Sequence, residues 1–504
     1  MAGIGFSLKK MFTKETFSSR ALAYVYSSFI AAGPWIISVI SINLLLVLMK
    51  LLDINNIERD LFSATIVYSF LFSQILVAPL QLVVTRYISD KLFNKEYDVL
   101  KPTFIGVNNI VSFLSVIVCV VFYANISLPL YYKILSSFVF ILISMIWVIM
   151  IFLSAVKNYK LIGIAYILGG LVTVALSFYL IENPIVFNEL GSSTNFLLSY
   201  VVGLSTIFII LLYTFFSTFH SGNPYTYDFI RFFGKHAVLS FIGLFYTCGL
   251  WVDNIIVWFS DYQVRVFDVF VFAPYYDNVV FLSYLTTIVT LVLFLVIIET
   301  EFYKTYKDYF GNVNSIQTLK EIEKSKHRMI ETLSYHLIYT FMIQLLINIT
   351  LVLLANPIFR LLNINYLIRD MFKITAIGAL FNISAFIIIL VLLYFEKRKS
   401  ALLIAGCFFT SNTLLTLFFN TQPLKYTGYG FAIASAFTFF IALIPLFTYF
   451  KNINYETFAL QPLYLREPND IFVKIANRLN RRSDKKHTAA MNKKRDREKK
   501  LSIR

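Results

Sequence analysis

The sequence predicts an all-α integral membrane protein with about twelve transmembrane helices. The chain has 504 residues, of which 58% are hydrophobic and only 14% are charged. Its mean hydropathy is +0.72. A soluble protein of this length needs far more charge to cover its surface. Apolar windows of about twenty residues, the length that crosses a bilayer, recur twelve times along the chain.

The twelve windows divide the chain into two sets of six. In the first half they cover residues 22–49, 61–84, 104–123, 134–155, 160–181 and 193–216. In the second half they cover 236–258, 278–298, 333–354, 371–393, 400–419 and 429–450. The first window is too long for the apolar core of a signal peptide and has no convincing cleavage site, so we expect its helix to remain in the mature protein.

These windows predict five segments. We expect a cytoplasmic amphipathic N-terminus, a first six-helix bundle, a cytoplasmic linker, a second six-helix bundle and a basic cytoplasmic tail that is largely disordered. Their limits are 1–20, 21–216, 217–235, 236–450 and 451–504.

The distribution of positive charge predicts the orientation. If the N-terminus is inside, the inside segments before residue 451 hold 21 Lys and Arg and the outside segments hold 8. The tail holds another 15. Inside loops of membrane proteins carry the excess of Lys and Arg, so both termini are expected to be cytoplasmic.

The two halves resemble each other at an offset of 216 residues. The second window, shifted by this amount, lands on the eighth, and Gly33-Pro34-Trp35 lands on Gly249-Leu250-Trp251. Six spans per half give both halves the same orientation, as in transporters whose repeats are related by an axis along the membrane normal. Pro34 favours a kink in the first helix, which is either static or part of a rocking motion.

Three short motifs add a family resemblance. The start Met1-Ala2-Gly3-Ile4-Gly5-Phe6, followed by Leu8-Lys9-Lys10, resembles the opening of the PelG family, inner-membrane transporters of the Pel exopolysaccharide system. Ala32-Gly33-Pro34-Trp35 and Thr85-Arg86-Tyr87-Ile88-Ser89-Asp90 are similar to the same family. The resemblance, with the span count, covers roughly residues 1–460.

The resemblance implies a fold and a task. The fold is that of the MATE and MOP flippase superfamily, with two bundles of six helices. The task is export of a polysaccharide rich in N-acetylgalactosamine and galactosamine across the cytoplasmic membrane, in a complex with a cytoplasmic glycosyltransferase and accessory membrane subunits. Two alternatives stay open: an ion-coupled flippase of lipid-linked oligosaccharides or exporter of small molecules, and a scaffold of a polysaccharide synthase that transports nothing.

A path for sugars needs aromatic faces and hydrogen-bonding side chains at span depth. Each such side chain, taken alone, is more often a contact between helices than a substrate contact. The clustering in the first and seventh spans favours a path there. The candidates are Tyr24, Tyr26, Gly33, Pro34, Trp35, Gln74, Gln81, Asn108, Asn109, Tyr246, Trp251, Asp253 and Asn254.

The charged residues within the spans limit the class of polymer that the protein is expected to carry. No Lys or Arg lies within the core of any window, which favours a neutral or partly cationic polymer over a polyanion. Asp253 is the acid well inside an apolar stretch, and a carboxylate at the bilayer centre costs about 2.5–3.5 kcal/mol on insertion scales. Three interpretations compete: it binds a coupling proton or cation, it attracts substrate amines, or it bonds a neighbouring helix.

Several function classes are disfavoured. A Walker A pattern is lacking, so no intrinsic ATPase is expected, and no loop is large enough for a glycosyltransferase domain, so the chain is predicted to be a transporter and not an enzyme. Cys119, Cys248 and Cys407 have no metal-binding spacing, and no cofactor or metal is expected. The basic tail is expected to face anionic lipid headgroups and not nucleic acid. The polar insert 303–328 and the N-terminal segment 6–17 are expected to lie on membrane lipids or to dock the glycosyltransferase.

The charge distribution makes the topology testable. A reporter fused after Tyr455 should be found in the cytoplasm, because an even number of spans returns the chain to the side on which it began. A fusion within residues 124–133, after the third window, is the matched control and should be external. A Tyr455 fusion that is active only outside would contradict the topology.

Overall fold

The computed structural model describes residues 36–156, 159–185, 190–219, 226–315, 317–361, 366–459 and 470–480. Within these residues, eleven helical segments are long and apolar enough to cross a membrane, and Ile36–Leu51 is a shorter apolar helix. The prediction of an all-α membrane protein is therefore confirmed. The first predicted window, 22–49, lies only partly within the described ranges.

The helices are numbered here in chain order. The first six are α1 (Ile36–Leu51), α2 (Asn56–Phe93), α3 (Leu100–Tyr123), α4 (Leu130–Val156), α5 (Tyr159–Glu182) and α6 (Gly191–Thr218). The next four are α7 (Arg231–Trp258), α8 (Pro274–Leu285), α9 (Ile288–Ile297) and α10 (Tyr303–Asn314). The last five are α11 (Leu319–Leu361), α12 (Tyr366–Tyr394), α13 (Arg398–Asn420), α14 (Thr427–Phe458) and α15 (471–480).

Two compact units divide the described residues. One comprises those within Met1–Ala64 and Phe245–Gln461, and the other comprises those within Thr65–Leu244 and Pro462–Arg504. Helix α7 therefore begins in the second of these units and ends in the first. We call them the C-half unit and the N-half unit, after the windows that make up most of each.

Close backbone approach holds α5 and α6 together in the N-half unit. A Cβ added at Gly203 would lie 2.8 Å from the carbonyl oxygen of Gly169, and one added at Gly169 would lie 2.8 Å from that of Gly203. Neither helix can carry a side chain here, so the glycines allow the two backbones to pack. Small residues serve the same purpose in many transmembrane helix pairs.

The eighth predicted window is not one regular helix. Where the sequence predicted a single span over 278–298, the chain forms α8, a break at Thr286 and Thr287, α9, a π-helical turn at Ile298–Phe302 and then α10. The hydroxyl groups of Thr286 and Thr287 donate to the carbonyl oxygens of Ser283 and Tyr284, each over 2.7 Å. The same two carbonyl oxygens also accept from the amides of Thr286 and Thr287, at 3.2 and 3.0 Å, so each threonine holds the end of α8 with both its amide and its hydroxyl group.

A two-stranded hairpin follows α7. Strand β1 (Val264–Val266) pairs antiparallel with β2 (Phe270–Phe272), and Val264 faces Phe272 in the register. The turn places Phe267 and Asp268 at φ values of 52° and 53°, the left-handed conformation that tight hairpins use. Beside this hairpin, the Tyr262 hydroxyl accepts a hydrogen bond of 3.1 Å from the Leu424 amide.

Contacts in the C-half unit join segments that the sequence predicts on one side of the membrane. The predicted external loops meet where Tyr262 binds Leu424. The predicted internal segments meet where Tyr309 of α10 donates to Asn454 of α14 over 3.4 Å and where Lys397 pairs with Glu456. The relative sidedness of these loops is thus consistent with the charge-based topology, whose absolute orientation stays a prediction.

The glycine contact between α5 and α6 predicts a stability difference. Gly203→Ala should destabilise the protein by about 1–3 kcal/mol, because its new methyl group would overlap the Thr173 hydroxyl and the Gly169 carbonyl. Gly191→Ala is the matched control, since no atom lies within 4 Å of its added Cβ and alanine favours the helix. Thermal unfolding of both variants in detergent measures the effect, and equal melting temperatures would contradict the packing argument.

Candidate functional site

One face of α7 carries the best-connected candidates. Tyr246, Gly249 and Asp253 follow each other at spacings of three and four residues, which places them on one side of a helix. Gly249 allows α13 to approach, because a Cβ there would lie 2.6 Å from the Phe408 ring. The side-chain amide of Asn412 on α13 donates to the Gly249 carbonyl over 2.9 Å. This face of α7 is therefore packed inside the C-half unit and away from lipid.

Asp253 is fully buried, with an exposed fraction of 0%. The Tyr276 hydroxyl of α8 donates to its Oδ2 over 2.7 Å, and the Asn412 side chain also interacts with the carboxylate, while no donor within the described residues completes a hydrogen bond to Oδ1. None of the described Lys and Arg side chains is buried. A buried carboxylate with one unused oxygen can accept a proton, a small cation or a substrate amine.

Asp253 does not lie at the middle of its span. It is five residues from the end of α7 at Trp258, which at 1.5 Å per residue is about 7.5 Å along the helix axis. The hairpin β1–β2 begins soon after. The carboxylate therefore lies near the end of α7 that the sequence places on the outer side.

A second acid, Asp277 of α8, was missed by the sequence analysis. Its carboxylate accepts hydrogen bonds from Asn254 Nδ2 at 2.7 Å, Trp258 Nε1 at 3.0 Å and the Ala273 amide at 3.2 Å. It is partly exposed, and it ties the end of α7 to the start of α8. The eighth predicted window begins at residue 278 and so leaves Asp277 in a loop. Pro274, a frequent first residue of helices, is the signal in the sequence that α8 begins earlier.

Other polar groups near Asp253 have unused hydrogen-bonding capacity. The Tyr246 hydroxyl donates to Asn382 Oδ1 over 3.1 Å, but the Asn382 side-chain nitrogen has no partner in the described structure. The Tyr284 hydroxyl is likewise unpaired there, and Tyr284 packs with Tyr246 against the same buried cluster of Ala379, Phe408 and Phe431. We call Tyr246, Asp253, Tyr284 and Asn382 the α7–α12 polar cluster.

A polar stripe extends from this cluster along α8 and α9. Ser283 shares a hydrogen bond of 2.6 Å with Thr375 on α12. Thr290 bonds Gln344 on α11, and Gln344 in turn donates to Asn348 over 2.9 Å. From Tyr276 to Thr290 the stripe covers fifteen residues, and the fourteen steps between them correspond to about 21 Å of helix. These residues can hold neighbouring helices together by hydrogen bonds. If the helices separate, the same groups can form hydrogen bonds with a substrate along a path.

The remaining candidates fall into three groups. Trp251 and Asn254 lie on α7 itself, and Asn254 is committed to Asp277. Gln74, Gln81, Asn108 and Asn109 belong to the N-half unit, where Gln81 and Asn109 are exposed and Gln74 and Asn108 are partly buried. Tyr24, Tyr26, Gly33, Pro34 and Trp35 fall outside the described residues. In the described ranges no group of three His, Cys, Asp or Glu could hold a metal.

The comparison with protein families agrees with this helical architecture. The profile described as "PelG: Putative exopolysaccharide Exporter (EPS-E)" matches residues 1–458. The chain belongs to the PelG family. The resemblance of its N-terminal motifs to this family is thereby confirmed, and no curated protein matches the chain in sequence.

Solved structures share the fold. A multidrug resistance MATE family transporter of the MOP superfamily, in its inward-facing conformation, is 11% identical, with 85% of this chain and 95% of that chain covered and a TM-score of 0.52. A MATE protein in its straight conformation is 11% identical, with 86% and 96% covered and a TM-score of 0.58. A MOP superfamily transporter from Pyrococcus furiosus is 12% identical, with 85% and 96% covered and a TM-score of 0.54. The PelG chain therefore has a MATE-like transporter fold.

The two acids should differ in their contribution to stability. Asp277→Asn should cost about 1–3 kcal/mol, because one amide oxygen replaces two carboxylate oxygens that receive three donors. Asp253→Asn should be neutral or stabilising, since its amide oxygen can still accept from Tyr276 and no buried charge remains. Thermal unfolding in detergent distinguishes them; a larger loss for Asp253→Asn would contradict the assignment of Asp277 as the structural acid.

Proposed function

We propose that this multi-pass membrane transporter, a member of a family of exopolysaccharide exporters, moves a polymer rich in N-acetylgalactosamine and galactosamine outward across the cytoplasmic membrane, with both of its termini in the cytoplasm. The observation that carries this proposal is the α7–α12 polar cluster. It combines a buried carboxylate with hydroxyl and amide groups that have hydrogen bonds left to make.

The chemistry of the cluster fits an amino sugar. A free amine is cationic at neutral pH and can bind the unused oxygen of Asp253, while sugar hydroxyls can bind the Tyr284 hydroxyl and the Asn382 amide. An anionic polymer would be repelled by Asp253, and none of the described Lys or Arg side chains is buried to attract it. The charge of the site thus favours a neutral or partly cationic cargo.

We further propose that the polymer enters from a cytoplasmic glycosyltransferase that docks on the internal surface together with accessory membrane subunits. Helix α10 offers such a surface. Tyr309 is fully buried and anchors α10 on α14, while Lys304 and Lys307 are exposed or partly exposed. Helix α11 begins next to it with a capping box, in which the Thr318 amide donates to Glu321 and the Glu321 amide donates to Thr318. These contacts give the pair of helices α10 and α11 a defined shape that a partner protein or membrane lipid can bind.

The buried carboxylate also keeps a second candidate function open, that of an ion-coupled flippase of lipid-linked oligosaccharides. Here Asp253 would take up a proton or sodium ion in one conformation and release it in the other. Polymer extension by the glycosyltransferase needs no such ion. Export that persists after the proton and sodium gradients are dissipated, while sugar nucleotides remain available, would exclude the flippase.

Export should depend on Asp253. In cells that carry the complete polysaccharide system, Asp253→Asn should lower surface polymer about tenfold or more, equivalent to roughly 1.4 kcal/mol of lost interaction. The variant should still co-purify with the glycosyltransferase, because its fold is kept. Asp261→Asn, which neutralises an exposed acid just after α7, is the matched control and should export normally.

Each readout has its own contradicting result. Normal export by Asp253→Asn at normal protein level would remove Asp253 from the substrate path. Failure of the wild-type chain to retain the glycosyltransferase after gentle extraction would contradict the proposed coupling and leave the transport proposal standing. Normal polymer output from cells that lack this chain altogether would contradict transport itself.

A further inference from the structure

A ten-residue helix, α15, lies beyond the part of the chain that matches the PelG family. The family match ends at residue 458, whereas α15 covers 471–480. Asp470 caps its start, because Asp470 Oδ1 accepts a hydrogen bond of 3.1 Å from the Val473 amide. Ala476 and Asn480 are buried, with exposed fractions of 0% and 3%. This helix therefore has one face packed against the rest of the N-half unit.

The packed face of α15 contacts the start of α7. Asn480 Oδ1 accepts from the Tyr227 amide over 3.0 Å, and Asn477 Oδ1 accepts from the Arg231 guanidinium over 2.8 Å. The Asp470 carboxylate occupies the space beside Gly234, where an added Cβ would meet it. Because these partners lie where a membrane-spanning helix begins, α15 lies at the level where the span leaves the bilayer.

The opposite face of α15 carries both large apolar side chains and basic side chains. Ile471 and Ile475 are 71% and 41% exposed, and Phe472, which also packs against Phe233 of α7 at 6.2 Å between ring centroids, is 39% exposed. Lys474 and Arg478, also exposed, lie among them. Large apolar side chains exposed beside lysine and arginine are typical of helices that lie in the membrane interface, with the apolar groups below the headgroups and the cations at their phosphates.

The sequence after α15 adds further positive charge to that of Lys474 and Arg478. Residues 481–504 contain 11 Lys and Arg against 3 Asp and Glu. Clusters of basic residues next to a membrane span bind anionic lipid headgroups, and the attraction falls off within a Debye length. Since α15 is held at the end of a span, the lipid surface is beside it at all times. This proximity favours lipid over a soluble acidic protein as the partner of the exposed face.

We propose that α15 and the basic sequence after it bind an anionic phospholipid surface and thereby anchor the start of α7 to one face of the membrane. The anchored segment is a separate short piece of helix. At His236 the backbone leaves the helical region, with φ −129° and ψ 29°, before α7 continues. Phe232 in the same segment packs edge-on against Tyr87 of α2, at 4.9 Å between ring centroids. Lipid binding would fix this first turn of α7 from the membrane side.

A fluorescent label at position 475 tests the proposal on the full chain. Ile475→Cys, made after replacement of Cys119, Cys248 and Cys407, is labelled with an environment-sensitive dye. The protein is reconstituted in vesicles of phosphatidylcholine alone and in vesicles that also contain phosphatidylglycerol. The emission should shift to the blue only in the anionic vesicles, and 1 M salt, with a Debye length of about 3 Å, should abolish the shift. A label at Gln422→Cys, an exposed position in a different loop, is the matched control and should not respond.

A charge variant separates headgroup recognition from simple apolar contact. Lys474→Gln combined with Arg478→Gln changes two exposed side chains, so the fold should persist, and the blue shift in anionic vesicles should be reduced or lost. Identical emission in both vesicle types would overturn the proposal. So would a shift that is insensitive to salt and to the two substitutions, or one that arises only when a soluble protein is added.

Discussion

A buried carboxylate in a low-dielectric helix bundle is the constraint on which the account depends. Every polar group inside a membrane protein must find its partner within the protein, because lipid offers none. Asp253 meets this requirement with one oxygen, through the Tyr276 hydroxyl, and leaves the other without a hydrogen bond in the described structure. Such a group is costly to bury, and the amine of the proposed polymer would offset that cost by binding its free oxygen.

The surrounding packing holds this carboxylate in place. Gly249 allows α7 and α13 to approach, and Asn412 pairs the Gly249 carbonyl, so one side of α7 is fixed. On the other side of α7, the Asp277 carboxylate accepts hydrogen bonds from Asn254 and Trp258 and so holds the start of α8 against the end of α7. The two acids therefore divide two tasks that a single acid could not perform. Asp277 has its acceptors filled by fixed donors, which leaves Asp253 as the acid with capacity for a moving partner.

The sequence was sufficient for the features that depend on composition and was insufficient for those that depend on packing. Hydropathy found the spans, including the short connection between α4 and α5, and the N-terminal motifs identified the family. Asp277 was missed because a hydropathy window detects only a run of apolar residues. Pro274 and the two tyrosines at the start of α8 do not raise the mean hydropathy of such a window, so the predicted span begins after Asp277. The break at Thr286 and the π-helical turn at Ile298–Phe302 are stabilised by contacts across the bundle. Helix α15, in a segment read as a largely disordered tail, is stabilised by its contact with the start of α7.

Photo-crosslinking can show whether the polymer passes the α7–α12 polar cluster during export. A photoreactive phenylalanine analogue replaces Tyr284 within the cluster or, as control, Phe437, which is 53% exposed on α14. Cells that carry the complete polysaccharide system are irradiated during synthesis, and the purified protein is probed for attached amino sugar. The account predicts attached polymer at position 284 and none at 437. Absence of polymer at 284 while export continues, or equal labelling at both positions, would contradict it.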